Sequence, residues 1–231
     1  MTTNNKTLLA GAIRKGAPYI ATPEQRAKID AQFNAVKQDV LTKQGFRCAC
    51  CGYESKNHME LHHLDGDHAN NDPSNLVAME ELCHATQHLG QDTPKDNEKL
   101  SSDGLRSVSI LVAMPEITQQ DLNLLQRALG AALADPTERE NAKAIINTLK
   151  TRDDAVFNAY GHKDAKSFGA ALPRLTQEQY DNRHKTMGGL RVLFHPKTMY
   201  EAGVKMLKEY QELAVSKWPQ LFQEKLANKN N

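Results

Sequence analysis

Between Cys48 and His88, about forty residues hold a Cys-x-x-Cys pair, a His-His-Leu-Asp-Gly-Asp run, an Asn-Leu and a Cys-His-x-x-x-His. All four cysteines (Cys48, Cys50, Cys51, Cys83) and six of the nine histidines (His58, His62, His63, His68, His84, His88) fall in this stretch. That is the density of a metal site, and the remainder of the chain must frame it. Thiols so crowded, two of them adjacent, read as metal ligands in a reducing compartment rather than as a disulfide framework.

Cys48 and Cys51 are spaced so that a tight turn, eased by Gly52, aims both thiolates at one tetrahedral ion, for which Zn2+ is the natural candidate. Cys50 reads as a bystander pointing away. Cys83 is the third ligand by the same logic. The position three before it holds Glu80, so the fourth ligand is open between Glu80, a harder donor than a thiolate, and His84 or His88 from the next turn. His84 and His88 lie four apart, on one face of a helix, where two imidazoles can meet one ion, and His62 on the preceding strand offers a third nitrogen. Its neighbour His63 projects to the opposite side of a regular strand, and an imidazole free of metal can act as a base on water.

The chain of 231 residues is long enough for a small metal module plus a helical region. It has no run of about eighteen apolar residues, and its start, MTTNNKTLLAGAIRKG, lacks a continuous hydrophobic core or small-residue cleavage site, so a cytoplasmic location is expected. With 29 basic and 28 acidic residues, the net charge of +1 supplies no global field toward DNA or anionic lipid.

Thr22-Pro23-Glu24-Gln25 predicts a helix start with a capping box, running to about Leu41 with Ile29, Phe33, Val36 and Val40 as its apolar stripe. A knuckle and short strand follow, then loop chemistry at Asp65-Gly66-Asp67 and from Asn70 to Pro73, and residues 75–89 turn helical. The module is thus expected as strand, loop, helix. Residues 90–104 are polar and turn-rich, and 108–114 suit a buried strand. Thr118-x-x-Asp121 caps a helix carrying Leu122, Leu125, Leu129 and Leu133, which Asp135-Pro136 ends. Helices are expected over 137–150, around Val156, Phe157 and Tyr160 up to Gly161, over 177–187 and over 197–218, the last with a Val204, Leu207, Tyr210, Leu213 stripe. The fold class is α+β, mostly helical, with a metal module framed by helices. Its divisions are an N-terminal extension (1–21), a helix plus module (22–92), a polar loop (93–104) and a mainly helical region (105–231).

LHHLDGDHANNDPSNL followed by CHATQH resembles the HNH, or ββα-metal, nucleases. The resemblance implies a divalent metal, Mg2+ or another, on His62, His84 and His88, with His63 as general base and Asn75 orienting it for phosphodiester hydrolysis. Many members also carry zinc on two Cys-x-x-Cys pairs; here the second pair reads Glu80-x-x-Cys83. A wider resemblance, carried by FRCACCGY, LDGDHANNDPSNLV, MPEITQQDLNLL and LRVLFHP, covers about residues 20 to 218 and is to the IcmJ (DotN) family of type IVB secretion and conjugation systems. It implies an HNH-like zinc module in a coupling-complex subunit, docked on the C-terminal region of the coupling ATPase and on other coupling-complex subunits, peripheral at the inner membrane.

Two functions follow: an adaptor of a secretion or conjugation coupling complex, or a metal-dependent DNA endonuclease built on His63. Phosphate contacts dominate DNA affinity, yet residues 57–94 contain no Lys or Arg, while Glu60, Asp65, Asp67, Asp72, Glu80, Glu81 and Asp92 are acidic. DNA binding would need Lys43, Arg47, Lys56, Lys95 or Arg106 folded over the site. The adaptor is therefore the favoured expectation.

Overall fold

The structure, a computed structural model, describes residues 22–89 and 109–229. The N-terminal extension, the polar loop, Val108, Lys95 and Arg106 lie outside the described residues. In order, the elements are α1 (Pro23–Lys43), β1 (Met59–His63), β2 (Leu76–Glu80), α2 (Glu81–Gln87), β3 (Ile110–Ala113), α3 (Gln119–Ala134), α4 (Arg139–Lys150), α5 (Asp153–Tyr160), α6 (Ala165–Ala171), α7 (Gln177–Asp181), α8 (Arg183–Met187), β4 (Leu190–Leu193), α9 (Pro196–Glu209) and α10 (Trp218–Lys229). The fold is α+β and mostly helical, with two small antiparallel sheets, β1–β2 and β3–β4.

The α1 helix starts as its sequence dictates: Thr22 caps it, Gln25 completes the capping box and Pro23 opens it. Only Val40 and Leu41 are buried, so the last turns carry the packing, with Ile29, Phe33 and Val36 half-buried. The chain then reverses through left-handed Gly45 and Phe46, φ +63° and +52°. Gln44 lays its side-chain amide along β2, donating to Leu76 O (3.0 Å) and accepting from Ala78 N (2.7 Å).

Residues 75–89 correct the expected helix. Leu76–Glu80 is a strand paired with β1 in the register Met59↔Glu80 to His63↔Leu76, and the helix begins only at Glu81. Leu76, Met79 and Cys83 have helical spacing, but they are a strand face followed by a first helical turn. The order is thus β, β, α. The α2 helix serves both hydrophobic clusters: Leu82 packs into the helical half with Leu111, Leu129 and Val192, while Cys83 belongs with Cys48, Leu61 and Met79.

In the second half Thr118 caps α3, and Gly161, φ +72°, ends α5, as the sequence predicts. Residues 177–187 form two short helices instead of one, and 197–218 is not continuous: α9 stops at Glu209 and two 3-10 turns, Gln211–Leu213 and Val215–Lys217, precede α10. The buried face of α9 is Met199, Ala202 and Gly203 rather than the expected stripe. The reason is the partner: α9 crosses α3 glycine to glycine, so a Cβ on Gly130 would stand 1.7 Å from Met199 O, and one on Gly203 would stand 2.0 Å from Ala131 N.

Candidate metal centre

The Cys48–Cys51 turn is a backbone knuckle. Cys48 N donates to Tyr53 O (2.8 Å), Gly52 N donates to Cys48 O (3.0 Å), and Gly52 takes the left-handed φ of +75° that the turn needs. Ala49 N donates to Ala78 O (2.8 Å), fastening the knuckle to β2. Cys83 stands in the first turn of α2, and the sulfurs of Cys48, Cys51 and Cys83 all lie within 4.8 Å of one another, none in a disulfide. Tetrahedral Zn–S bonds of ~2.3 Å place sulfurs about 3.8 Å apart, a spacing that falls inside that limit.

Cys50 stays outside the group of converging sulfurs, which is Cys48, Cys51 and Cys83. It is 3% exposed, and its thiol bonds to the Cys48 sulfur together with those of Cys51 and Cys83. Those three hydrogen bonds hold Cys48 far below the usual thiol range. The same interaction pushes Cys50 up, and burial pushes it further. Three sulfurs facing one another in a largely buried place are a donor set that suits a cation.

Glu80 has other work. Its Oε1 accepts from Cys83 N (2.6 Å), its Oε2 accepts from Leu82 N (2.9 Å), and the same oxygen meets the Arg127 guanidinium. With both oxygens held by N–H donors it caps α2, and it falls outside the converging sulfurs; the expectation of a carboxylate ligand is corrected accordingly. The alternatives His84 and His88 belong to a separate group with His62.

In that second group one nitrogen from each of His62, His84 and His88 lies within 4.8 Å of the others. His84 Nδ1 donates to Glu60 Oε2 (2.5 Å), and His84 Nε2 lies 3.1 Å from His88 Nε2. A carboxylate on one ring nitrogen fixes the tautomer that presents the other to a metal. The 3.1 Å separation is close to the ~3.3 Å edge of a tetrahedron with bonds of ~2.0 Å. His62, 2% exposed, has a buried Nδ1 with no hydrogen-bond partner, and burial with the neighbouring imidazoles lowers its pKa to about 3. A bare imidazole with an orphaned nitrogen, facing two more, is a donor set that fits a divalent ion.

His63 points to the other side of β1, as the alternation of the strand requires. Its ring stacks on Phe33 of α1 (centroids 5.7 Å) and on His68 (4.9 Å), and its Nε2 pairs with Asn71 Oδ1 at 3.0 Å. Asn71 in turn donates to Ile29 O (3.0 Å). Asn75 does not orient His63: its amide accepts from Asp65 N and donates to Asp65 Oδ1 and Asn70 O, bracing the loop. The side chain that pairs with His63 is that of Asn71.

Sequence reasoning missed Glu60, His68 and Asn71 as neighbours of these histidines. Glu60 was legible, standing two residues before His62 on the same strand face. The other two depend on how the loop folds back.

The helical half holds the knuckle from two sides. The Arg127 guanidinium lies 4.2 Å over the Tyr53 ring, and Glu209 at the end of α9 accepts from Ser55 Oγ (2.5 Å) and Lys56 N (2.6 Å). Tyr210 donates its hydroxyl to Glu54 O (2.8 Å), and Lys205 pairs with Glu81.

Fold and site together define a mostly helical α+β protein bearing two groups of side chains, one of thiols and one of imidazoles, that can each hold a metal ion. No family model matches the chain. Over 197 residues, 82% of this chain and 88% of the relative, it is 27% identical to the Type 4 apparatus protein DotN of Legionella pneumophila subsp. pneumophila. That similarity supports the IcmJ (DotN) family for this chain.

Proposed function

We propose that the protein is a subunit of a type IV secretion apparatus of the Dot/Icm kind, a zinc-stapled adaptor that docks on the C-terminal region of the coupling ATPase beside other coupling-complex subunits. The observation that carries this reading is the reach of the similarity to DotN: it covers 82% of the chain, far beyond the metal-ligand stretch. No helix among the described residues is long and apolar enough to cross a membrane, which fits a peripheral place at the inner membrane, reached through the complex from the cytoplasm. Cys48, Cys51 and Cys83 would hold structural Zn2+, and a module of residues 22–92 would be mounted on the helical region of 105–231. Zinc there supplies folding free energy and no chemistry.

The second reading, an HNH-like endonuclease, is favoured by the His62, His84, His88 group with its Glu60 support. In that reading these three residues hold Mg2+ or another divalent ion, which supplies charge neutralisation at a phosphate, and His63 takes a proton from water. His63 is 7% exposed with Nε2 engaged by Asn71, and no Lys or Arg lies in 57–94 to receive a phosphate. These facts weigh toward the adaptor.

The test joins three measurements on the purified protein: metal content, capture by the immobilised C-terminal region of a coupling ATPase, and plasmid cleavage with Mg2+ or Mn2+ by wild type and His63→Ala. Zinc at one equivalent, capture by the ATPase segment and no His63-dependent cleavage is the expected result. Cleavage that disappears in the variant, without capture, would replace the adaptor by the nuclease.

A further inference from the structure

The α3 helix carries a row of buried amides, Gln119, Asn123 and Gln126, each no more than 1% exposed and all on one helical face. Their polarity can be deduced from the backbone. Val192 N can only donate, and it donates to Gln119 Oε1 (2.7 Å); Phe194 N donates to Gln126 Oε1 (2.6 Å). Each glutamine must therefore turn its Nε2 inward, and both Nε2 groups donate to Asn123 Oδ1, at 2.8 and 3.2 Å. With its oxygen claimed twice, Asn123 has only its N–H2 left to face the remaining neighbour. That neighbour is Cys83 Sγ, 3.3 Å away. Turning the Asn123 amide over would oppose N–H to N–H on one side and oxygen to sulfur on the other, so the chain of donors fixes the direction.

We propose that Asn123 is a positioning residue for a metal ion held by Cys48, Cys51 and Cys83: its N–H aims the Cys83 sulfur and ties the ion, through Gln119 and Gln126, to strand β4. This rests on the reading of the cysteine group as a metal site. A sulfur bound to a cation keeps negative charge and lone pairs that accept such an N–H well, whereas a neutral thiol is a poor acceptor. The side chain reaches the site from a helix forty residues further along the chain. The metal would thereby hold the two halves of the protein together, beyond closing its own knuckle. Groups in this outer position typically contribute 10–100-fold to metal affinity.

Co2+ is the probe, since its bonds to thiolates give a near-ultraviolet charge-transfer band. The full chain is titrated with Co2+, and Zn2+ affinity is measured by chelator competition. Asn123→Leu is expected to move the band to longer wavelength, because a sulfur without its N–H partner gives up charge more readily, and to weaken Zn2+ binding 10–100-fold. Gln126→Leu disturbs the same buried row without removing the N–H at sulfur, and should lower the melting temperature while leaving the band in place. Should Asn123→Leu fail to fold, Asn123→Asp at pH 8, which keeps the oxygen for both glutamines and loses the donor, is read in the same way. An unmoved band with affinity within twofold of wild type in the folded Asn123 variant would overturn the positioning role. Absence of the band in wild type would instead overturn the metal reading, and this proposal with it.

Discussion

The Arg127 guanidinium meets the Glu80 carboxylate where α3 reaches the start of α2, with 3% and 2% of the two side chains exposed. Arg127 also donates to Ala202 O on α9 (3.0 Å), so one side chain joins α2, α3 and α9. Burial pushes the Glu80 carboxyl up, against the pull of Arg127 and of the Cys83 side chain. A pair of this kind adds little net stability but leaves a stranded charge when halved. Arg127→Met should therefore cost about 3–5 kcal/mol in urea denaturation, and adding Glu80→Gln should recover part of that loss. Equal destabilisation by the single and double variants would show that the pairing of charge is not what matters.

Replacing Cys48 or Cys51 by serine removes a thiolate from the converging sulfurs. Structural zinc contributes on the order of 10 kcal/mol of apparent binding free energy in small metal domains. The zinc-loaded wild type should accordingly melt far above either variant, and the difference should shrink when wild type is treated with a chelator. Calorimetric traces that coincide for all three would remove zinc from the account of stability.

Where α9 crosses α3, there is no room for a methyl group. Gly130→Ala and Gly203→Ala must each push a Cβ into backbone atoms that would lie 1.7 Å and 2.0 Å away, so the helices have to separate. Overpacking of this kind costs about 1–3 kcal/mol or more, and backbone atoms cannot move aside as a flexible side chain does. Alanine normally stabilises a helix relative to glycine; a gain in the urea midpoint for either variant would contradict the crossing.

The metal-free protein should lose stability in acid through His62. Its folded pKa is lowered to about 3 by burial and by the facing imidazoles of His84 and His88, against an unfolded value of about 6.5. Between these values the unfolded chain binds the proton and the folded one does not, so unfolding is favoured as pH falls. Stability due to this group is whole above about 6.5 and declines toward 3, at no more than about 1.4 kcal/mol per pH unit for one proton. His62→Asn should flatten the pH dependence of the urea midpoint; an unchanged slope would place the sensitivity elsewhere.

The parts of this structure legible from sequence are those decided by neighbours along the chain. Thr22 with Gln25, Thr118 with Asp121, and Gly161 each fix a helix end through atoms a few residues away, and the structure has all three. The convergence of Cys48 with Cys51, and of His84 with His88, likewise follows from spacing. The apolar residues of Leu76–Glu80 satisfy a helical period, but its pairing with β1, set across a loop, makes it a strand. Short β4 escaped notice for the same reason: its partner β3 lies some eighty residues earlier. Glu80 has the chemistry of a ligand beside Cys83, but Arg127, 47 positions away, engages its carboxylate.

A two-stranded sheet has an outer edge with unspent N–H and C=O groups, the kind of surface onto which a strand from another molecule can add. On β2, the Leu76 carbonyl and the Ala78 N–H are spent on Gln44, and the Ala78 carbonyl is spent on Ala49 N. A single glutamine and the cysteine turn thus impersonate a third strand too short to be extended. The outer edge of β2 is thereby closed to the addition of a further strand.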